Sequence, residues 1–358
     1  MGALPTPRLS PPAAWHDKRH PLGYLLAPLS WLFCAVASLR RLAYRRRFLA
    51  ARHPGVPVVV VGNITTGGTG KTPLVIRLAG LLREHGFRPG IVTRGYGGKS
   101  DHWPRWVEAD TDPVLAGDEA VLLARRGRCP VVAGPDRAAA AEELLARTDC
   151  NLILSDDGLQ HYALERDVEI AVVDGVLGHG NGRCLPAGPL REAVSRLATV
   201  DLVVVNHGFG DQDNEDPGKT GTGAGLPGPG PAASPKEYAM ALVPGDPLPV
   251  VGGKPRPVAA FRGIRVHAVC GIGHPDRFFA TLRGLGLRIE PHAFPDHHAF
   301  APEDVAFGDG LPVLMTEKDA VKCRMFAGSN HWYLPVEAVT EPEFGARLLT
   351  LLGEVPVG

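Results

Sequence analysis

Charge of one sign is not in excess. The 38 Lys and Arg residues equal the 38 Asp and Glu residues among 358 positions. A broad electrostatic field for nucleic acid is therefore excluded. Cysteine is sparse: Cys34, Cys129, Cys150, Cys184, Cys270 and Cys323 are scattered, and no C-x-x-C pair occurs. Clustered zinc ligands are thus missing, and free thiols in a reducing compartment are expected. No internal repeat stands out. The length exceeds what a single hydrophobic core usually supports, so two domains are expected. Glycine (44) and proline (34) are abundant, in part because they crowd into one stretch.

Long apolar runs are also rare, with one exception. Residues 22–39, LGYLLAPLSWLFCAVASL, carry no charge and approach the minimum length of a membrane span. Arg40, Arg41, Arg45, Arg46 and Arg47 follow. A signal peptide does not fit, because the main basic cluster comes after the run and no small-residue cleavage site stands out. A single span with a basic cytoplasmic flank, a helix lying in the membrane interface and a packed helix of a soluble fold remain as readings. Pro28, Ser30, Trp15, Tyr24, Trp31 and Tyr44 favour the interfacial one, with an anionic membrane surface as partner.

The rest of the chain alternates. Apolar β-branched runs at 56–61, 88–93, 129–133, 152–154, 169–173 and 202–205 read as strands. Helical stretches at 73–85, 118–126 and 136–147 separate several of them. This pattern predicts an α/β fold with a doubly wound parallel sheet. A second βα series begins near 266, with strands at 266–269, 311–314 and 332–334 and helices at 276–285 and 342–352. Residues 210–236 are rich in Gly and Pro and nearly free of large apolar side chains, which predicts disorder. The expected division is a membrane-associating region at 1–50 and a nucleotide-binding domain at 51–208. A disordered insertion at 209–238 and a smaller α/β domain at 239–358 follow. The last helix of that domain is free to pack back on the first.

The first predicted strand runs into Gly62–Thr72, GNITTGGTGKT. Gly67, Gly68, Thr69 and Gly70 let backbone N–H groups turn toward phosphates, and the next helix adds its dipole. Lys71 is placed for the β- and γ-phosphates of ATP, and Thr72 for Mg²⁺. Thr65 stands where the usual pattern has its first glycine. The GKT at 218–220 has no strand before it or helix after it and is discarded. A second buried strand ends in Asp156 and Asp157, the acids expected near Mg²⁺. Asp118 opens a helix and reads either as an N-cap or as a base for an acceptor hydroxyl. Asp296-His297-His298 reads, on spacing alone, as polar residues at the surface, and His161 as structural.

Several runs together resemble the tetraacyldisaccharide 4'-kinase family: GNITTGGTGKTP, TRGYGG, GDE, GPDR, SDDGLQHYALERDVEI, NGRCLPAGPLRE, GIGHPDRFF, FPDHH and LMTEKDAVKC. They extend from about residue 24 to 335. The resemblance implies ATP- and Mg²⁺-dependent phosphorylation of the 4'-hydroxyl of a tetraacylated glucosamine disaccharide 1-phosphate. The expected place is the cytoplasmic face of the inner membrane. It implies a P-loop domain and a smaller α/β domain joined by a β-stranded linker. Carried over by motif, Asp118 is the base, His297 its tuning partner, and Glu119, Asp156 and Asp157 the acids around the metal. Arg94, Arg137, Gln160 and His161 are further site residues. Ala193 departs from the family, which usually has proline after R-E. The resemblance implies neither nucleic acid nor an obligate protein partner. Two rivals are weaker. A ParA-like nucleotide switch carries lysine before its two glycines, where this chain has Thr66. A P-loop enzyme with a small soluble acceptor, such as a carboxylating synthetase, leaves the apolar N-terminus unexplained.

Overall fold

The computed structural model describes residues 13–209 and 237–354. The stretch at 210–236, expected to be disordered, lies outside the described residues.

Strands run in chain order β1 (Val58–Gly62), β2 (Pro89–Thr93), β3 (Arg105–Val107), β4 (Val131–Ala133), β5 (Leu152–Asp156), β6 (Val168–Asp174), β7 (Leu202–Phe209), β8 (Glu237–Pro244), β9 (Leu248–Pro249), β10 (Arg265–Cys270), β11 (Arg288–Ala293), β12 (Val313–Thr316), β13 (His331–Leu334) and β14 (Val336–Thr340). Helices are α1 (Pro21–Leu25), α2 (Ala27–Arg45), α3 (Lys71–Glu84), α4 (Pro113–Ala116), α5 (Asp118–Gly127), α6 (Arg137–Arg147), α7 (Pro275–Gly284), α8 (Pro302–Val305), α9 (Glu317–Cys323) and α10 (Pro342–Gly353).

Nine strands form the large sheet in the order β14-β8-β7-β6-β1-β5-β2-β4-β3. It is parallel from β8 to β4, with antiparallel strands β14 and β3 at its edges. β1 lies centrally and every one of its residues is buried. Alternate valines feed opposite faces. Val59 and Val61 pack with α3, α5 and α10, while Val58 and Val60 pack with α6. Helices therefore cover both faces, as a doubly wound sheet requires. The second sheet has the order β11-β10-β12-β13-β9, with β9 antiparallel.

Periodicity did not mark β3, β8, β14 or α9. β3 has three residues, and β14 is an edge strand of alternating exposure. The large sheet thus takes back the chain after its excursion through the small one. Phe344 and Leu348 of α10 are fully enclosed in the large sheet's core. Two ion pairs fasten the body around the small sheet, the second body, to the body around the large sheet. Arg126 meets Glu317 at 2.8 and 2.9 Å, and Arg277 meets Asp174 at 2.6 and 2.9 Å.

The N-terminal run forms α1 and α2. Its small residues Gly23, Ala27 and Ser30 are buried, and Ser30 Oγ donates to the Cys184 carbonyl at 2.7 Å. Its large residues point outward, with Leu25 75% and Trp31 72% exposed. Nothing among the described residues covers this bulky face. Among the described residues no helix is long and apolar enough to cross a membrane, which corrects the single-span reading.

Removing Leu348 should loosen the sheet that holds the site. Leu348→Ala is expected to cost about 2–5 kcal/mol in equilibrium denaturation, as for other buried leucines. A loss below roughly 0.5 kcal/mol, the level of a surface change, would contradict this packing.

Candidate active site

The phosphate-binding turn is shaped by close approaches. A Cβ at Gly62 would lie 2.8 Å from Leu159 Cγ, so only glycine lets β1 end against the 158–159 turn. Gly70 has φ +88°, and a Cβ there would lie 2.5 Å from Asn206 Nδ2. That amide donates to the Thr69 carbonyl at 3.0 Å and holds the turn from β7. Added Cβ atoms at Gly67 and Gly68 would meet nothing within 4 Å. The turn therefore opens onto free space at the N-terminus of α3, where an anion is favoured. Lys71 Nζ donates to Asn63 Oδ1 at 3.2 Å and lies 3.4 Å from Asp157. Thr72 lines the same cleft, which has a volume of about 1090 Å³ and is walled on its far side by the second body.

The two acids at the end of β5 differ in state. Asp156 is buried; one oxygen accepts from Thr93 Oγ1 at 3.2 Å, and Oδ1 has no hydrogen-bond partner among the described residues. Burial, with Glu119 and Asp157 nearby, pushes its carboxyl up to about 7. Asp157 has φ +47° and sits between Lys71 and Arg191, the latter at 3.1 Å. Burial opposes its ionisation, but Lys71 and Arg191 outweigh it and hold the carboxyl far below its usual range. An orphaned carboxylate oxygen with Glu119 and Asp157 nearby suits a hard divalent cation.

Asp118 is the first residue of α5. The cap position belongs to Gly117, whose φ of +89° a side chain would strain, so the N-cap reading is wrong. Asp118 Oδ1 instead accepts from Glu119 N at 2.9 Å. Its Oδ2 lies 3.3 Å from His297 Nδ1 and 3.9 Å from both Lys318 and Lys322. All three partners belong to the second body. Asp118 is only 5% exposed beneath them. Burial alone would raise its pKa, yet His297 and the two lysines together lower it. His297 is raised, chiefly by Asp118, against burial and Lys318. Its φ of +58° is a strained value for a non-glycine residue, and its ring packs 4.8 Å from that of Tyr96. Lys318 Nζ also meets Glu119 at 3.0 Å and His297 Nε2 at 3.4 Å.

The other residues singled out by resemblance lie around this centre. Arg94 lines the cleft and is exposed. Arg137 is buried and donates to the carbonyls of Gly134 and Asp156, so it braces the acid-bearing strand end. Gln160 donates to the Asn63 carbonyl at 3.1 Å and to Glu192 at 2.7 Å, tying the phosphate turn to a neighbouring network. Burial, then Arg137 and Arg94, push His161 down to about 3, so its imidazole is neutral.

Asn63, Arg191, Lys318 and Lys322 escaped the sequence analysis. Lys318 and Lys322 had a readable signal, because spacing of four sets them on one face of α9, within the LMTEKDAVKC run.

The two shifts fix a pH window. His297 contributes fully below an ordinary imidazole value of about 6.5 and fades as pH rises through its raised pKa. Asp118 contributes fully above about 3.9 and fades as pH falls through its lowered one. His297→Ala removes the largest influence lowering Asp118. The acid limb of the kcat/KM profile should then move to higher pH. An acid limb that stays in place would contradict the coupling.

A family model described as tetraacyldisaccharide-1-P 4'-kinase matches residues 22–353. A tetraacyldisaccharide 4'-kinase of Nitrosococcus oceani is 52% identical over 94% of this chain and 93% of its own length. One from Alkalilimnicola ehrlichii is 50% identical over 97% and 96%. A solved structure described as the "apo" form of LpxK from Aquifex aeolicus in complex with ATP is 28% identical. It superposes with a TM-score of 0.73, covering 92% of this chain and 99% of that one. With matches of this extent and identity, the chain belongs to the tetraacyldisaccharide-1-P 4'-kinase family.

Proposed function

We propose that Asp118 is the base of this kinase, that His297 orients and tunes it, and that the reaction takes place at a membrane surface. The activity is ATP-dependent phosphorylation of a tetraacylated disaccharide 1-phosphate at its 4'-hydroxyl. The observation carrying the proposal is the ion pair between Asp118 and His297, whose imidazole lines the same cleft as the phosphate turn. Lys71 and the backbone of residues 67–72 hold the β- and γ-phosphates. Thr72, Asp156, Asp157 and Glu119 would hold Mg²⁺, which supplies charge neutralisation at the phosphates when bound. The 4'-oxygen bonds to the γ-phosphorus as the bond to the β,γ-bridging oxygen breaks, and Asp118 accepts the hydroxyl proton. Asp118 must first be uncovered. Its covers, His297 and Lys318, ride on the second body, so relative movement of the bodies is the means.

The N-terminus supports the membrane part of the reading. Its bulky apolar side chains face out while its small ones face in, and Arg45, Arg46 and Arg47 are exposed beside them. Such a surface suits insertion among anionic headgroups at the cytoplasmic face of the inner membrane. A four-chain lipid stays in the bilayer, since each buried methylene contributes roughly 0.8 kcal/mol. The enzyme therefore goes to its acceptor.

One assay tests both parts: γ-labelled ATP with the lipid disaccharide in anionic or zwitterionic vesicles. Lys71→Ala should lower label in the lipid by roughly 10²–10³-fold or more, the scale of losing a charge-stabilising group. Changing Arg45, Arg46 and Arg47 to Ser should slow labelling mainly on anionic vesicles and at low salt. Undiminished labelling by Lys71→Ala would refute the phosphate assignment. Equal rates on both vesicle types by the intact protein would refute the electrostatic part.

A further inference from the structure

Away from the cleft, the edge of the small sheet carries imidazoles that phosphoryl transfer does not use. β11 is the edge strand, and it pairs with β10 so that Glu290 stands beside His267. His292, two residues on, shares that face. His267 Nδ1 lies 3.0 Å from His292 Nε2 and 4.0 Å from Glu290 Oε2. One ligand atom from each residue fits within a 4.8 Å group. Bonds of about 2.0–2.1 Å in tetrahedral geometry put ligand atoms roughly 3.3 Å apart, between the two separations seen here.

The surroundings favour coordination over a chance cluster. His267 is buried, and its Nε2 lies 3.0 Å from Asp309 Oδ2. A carboxylate there keeps the proton on Nε2 and turns the Nδ1 lone pair toward His292 and Glu290. This is the outer-shell arrangement of a metal-binding imidazole. Asp309 is itself fixed, because its other oxygen accepts from Leu311 N at 3.0 Å. Phe307 stacks on the His267 ring at 3.8 Å with an 18° interplanar angle, holding the ring plane. Glu290 is 45% exposed along its side chain, which leaves an entry path and an open fourth position.

We propose that His267, Glu290 and His292 form a binding site for a zinc-class divalent cation, with Asp309 orienting His267. Without the cation, His292 donates its Nε2 proton to His267 Nδ1. On binding, His292 shifts that proton to its own Nδ1, and the cation takes the place of the hydrogen bond. Two imidazoles and one carboxylate suit zinc, cobalt or nickel better than Mg²⁺, which prefers oxygen. The site spans two strands, and β11 leads directly into the loop bearing His297.

The test uses the tag-free full chain, stripped with chelator and titrated with Co²⁺ and then Zn²⁺ in the absence of nucleotide. The expected result is the intense visible band of four-coordinate cobalt, bleached by zinc. His292→Ala and Glu290→Gln, both at partly exposed positions, should each lose that band while keeping their circular dichroism. Asp309→Asn should weaken binding by about 10–100-fold. Asp157→Asn should keep the band, separating this site from the acids of the phosphate cleft. No four-coordinate band, or a band that survives both His292→Ala and Glu290→Gln, would overturn the proposal.

Discussion

A buried carboxylate that draws its counter-charges from another part of the chain organises this molecule. Asp118 sits almost out of solvent at the start of α5. An ionised carboxylate there is costly unless it is paired. The nearby cationic groups that lower its pKa, His297, Lys318 and Lys322, all come from the second body. While the two bodies are together, these groups keep Asp118 ionised despite its burial. The Arg126–Glu317 and Asp174–Arg277 pairs hold them in that relation. Lys318 adds a further link by touching both Asp118 and Glu119, one proposed for the proton and the other for the metal.

The nucleotide half is organised differently, by local geometry. One buried strand delivers Lys71 and Thr72 through a turn whose Gly62 and Gly70 are fixed by close approach to Leu159 and Asn206. A neighbouring strand delivers Asp156 and Asp157 to the same edge. The large sheet thus brings phosphate turn and acids together without help from the second body.

Legibility in the sequence follows this division. The phosphate turn and the acids after β5 were readable, since each is a short run following an apolar strand. The parallel core was readable for the same reason. Asp118 was not, because GDE before a helix is also what a capped helix looks like. Only the backbone at Gly117 shows that the cap is not Asp118. His297 and Lys318 were harder still on spacing alone, since their meaning lies in a contact across about 180–200 residues of chain. Resemblance supplied His297 and left Lys318 unassigned. The N-terminal run showed its apolarity but not its facing. Burial of Gly23, Ala27 and Ser30 turns the large side chains outward, a consequence of packing against Cys184 and its neighbours that periodicity does not encode. β8 and β14 were missed because their pairing depends on chain far away in sequence.

The central claim is that Asp118 and His297 act as one unit contributed from two sides of a cleft. A double-mutant cycle on kcat, with Asp118→Ala, His297→Ala and both together at saturating ATP and lipid, tests it most directly. If they act as a unit, the double variant loses less activation free energy than the sum of the single losses. Strict additivity would mean that the two residues work independently and would contradict the account.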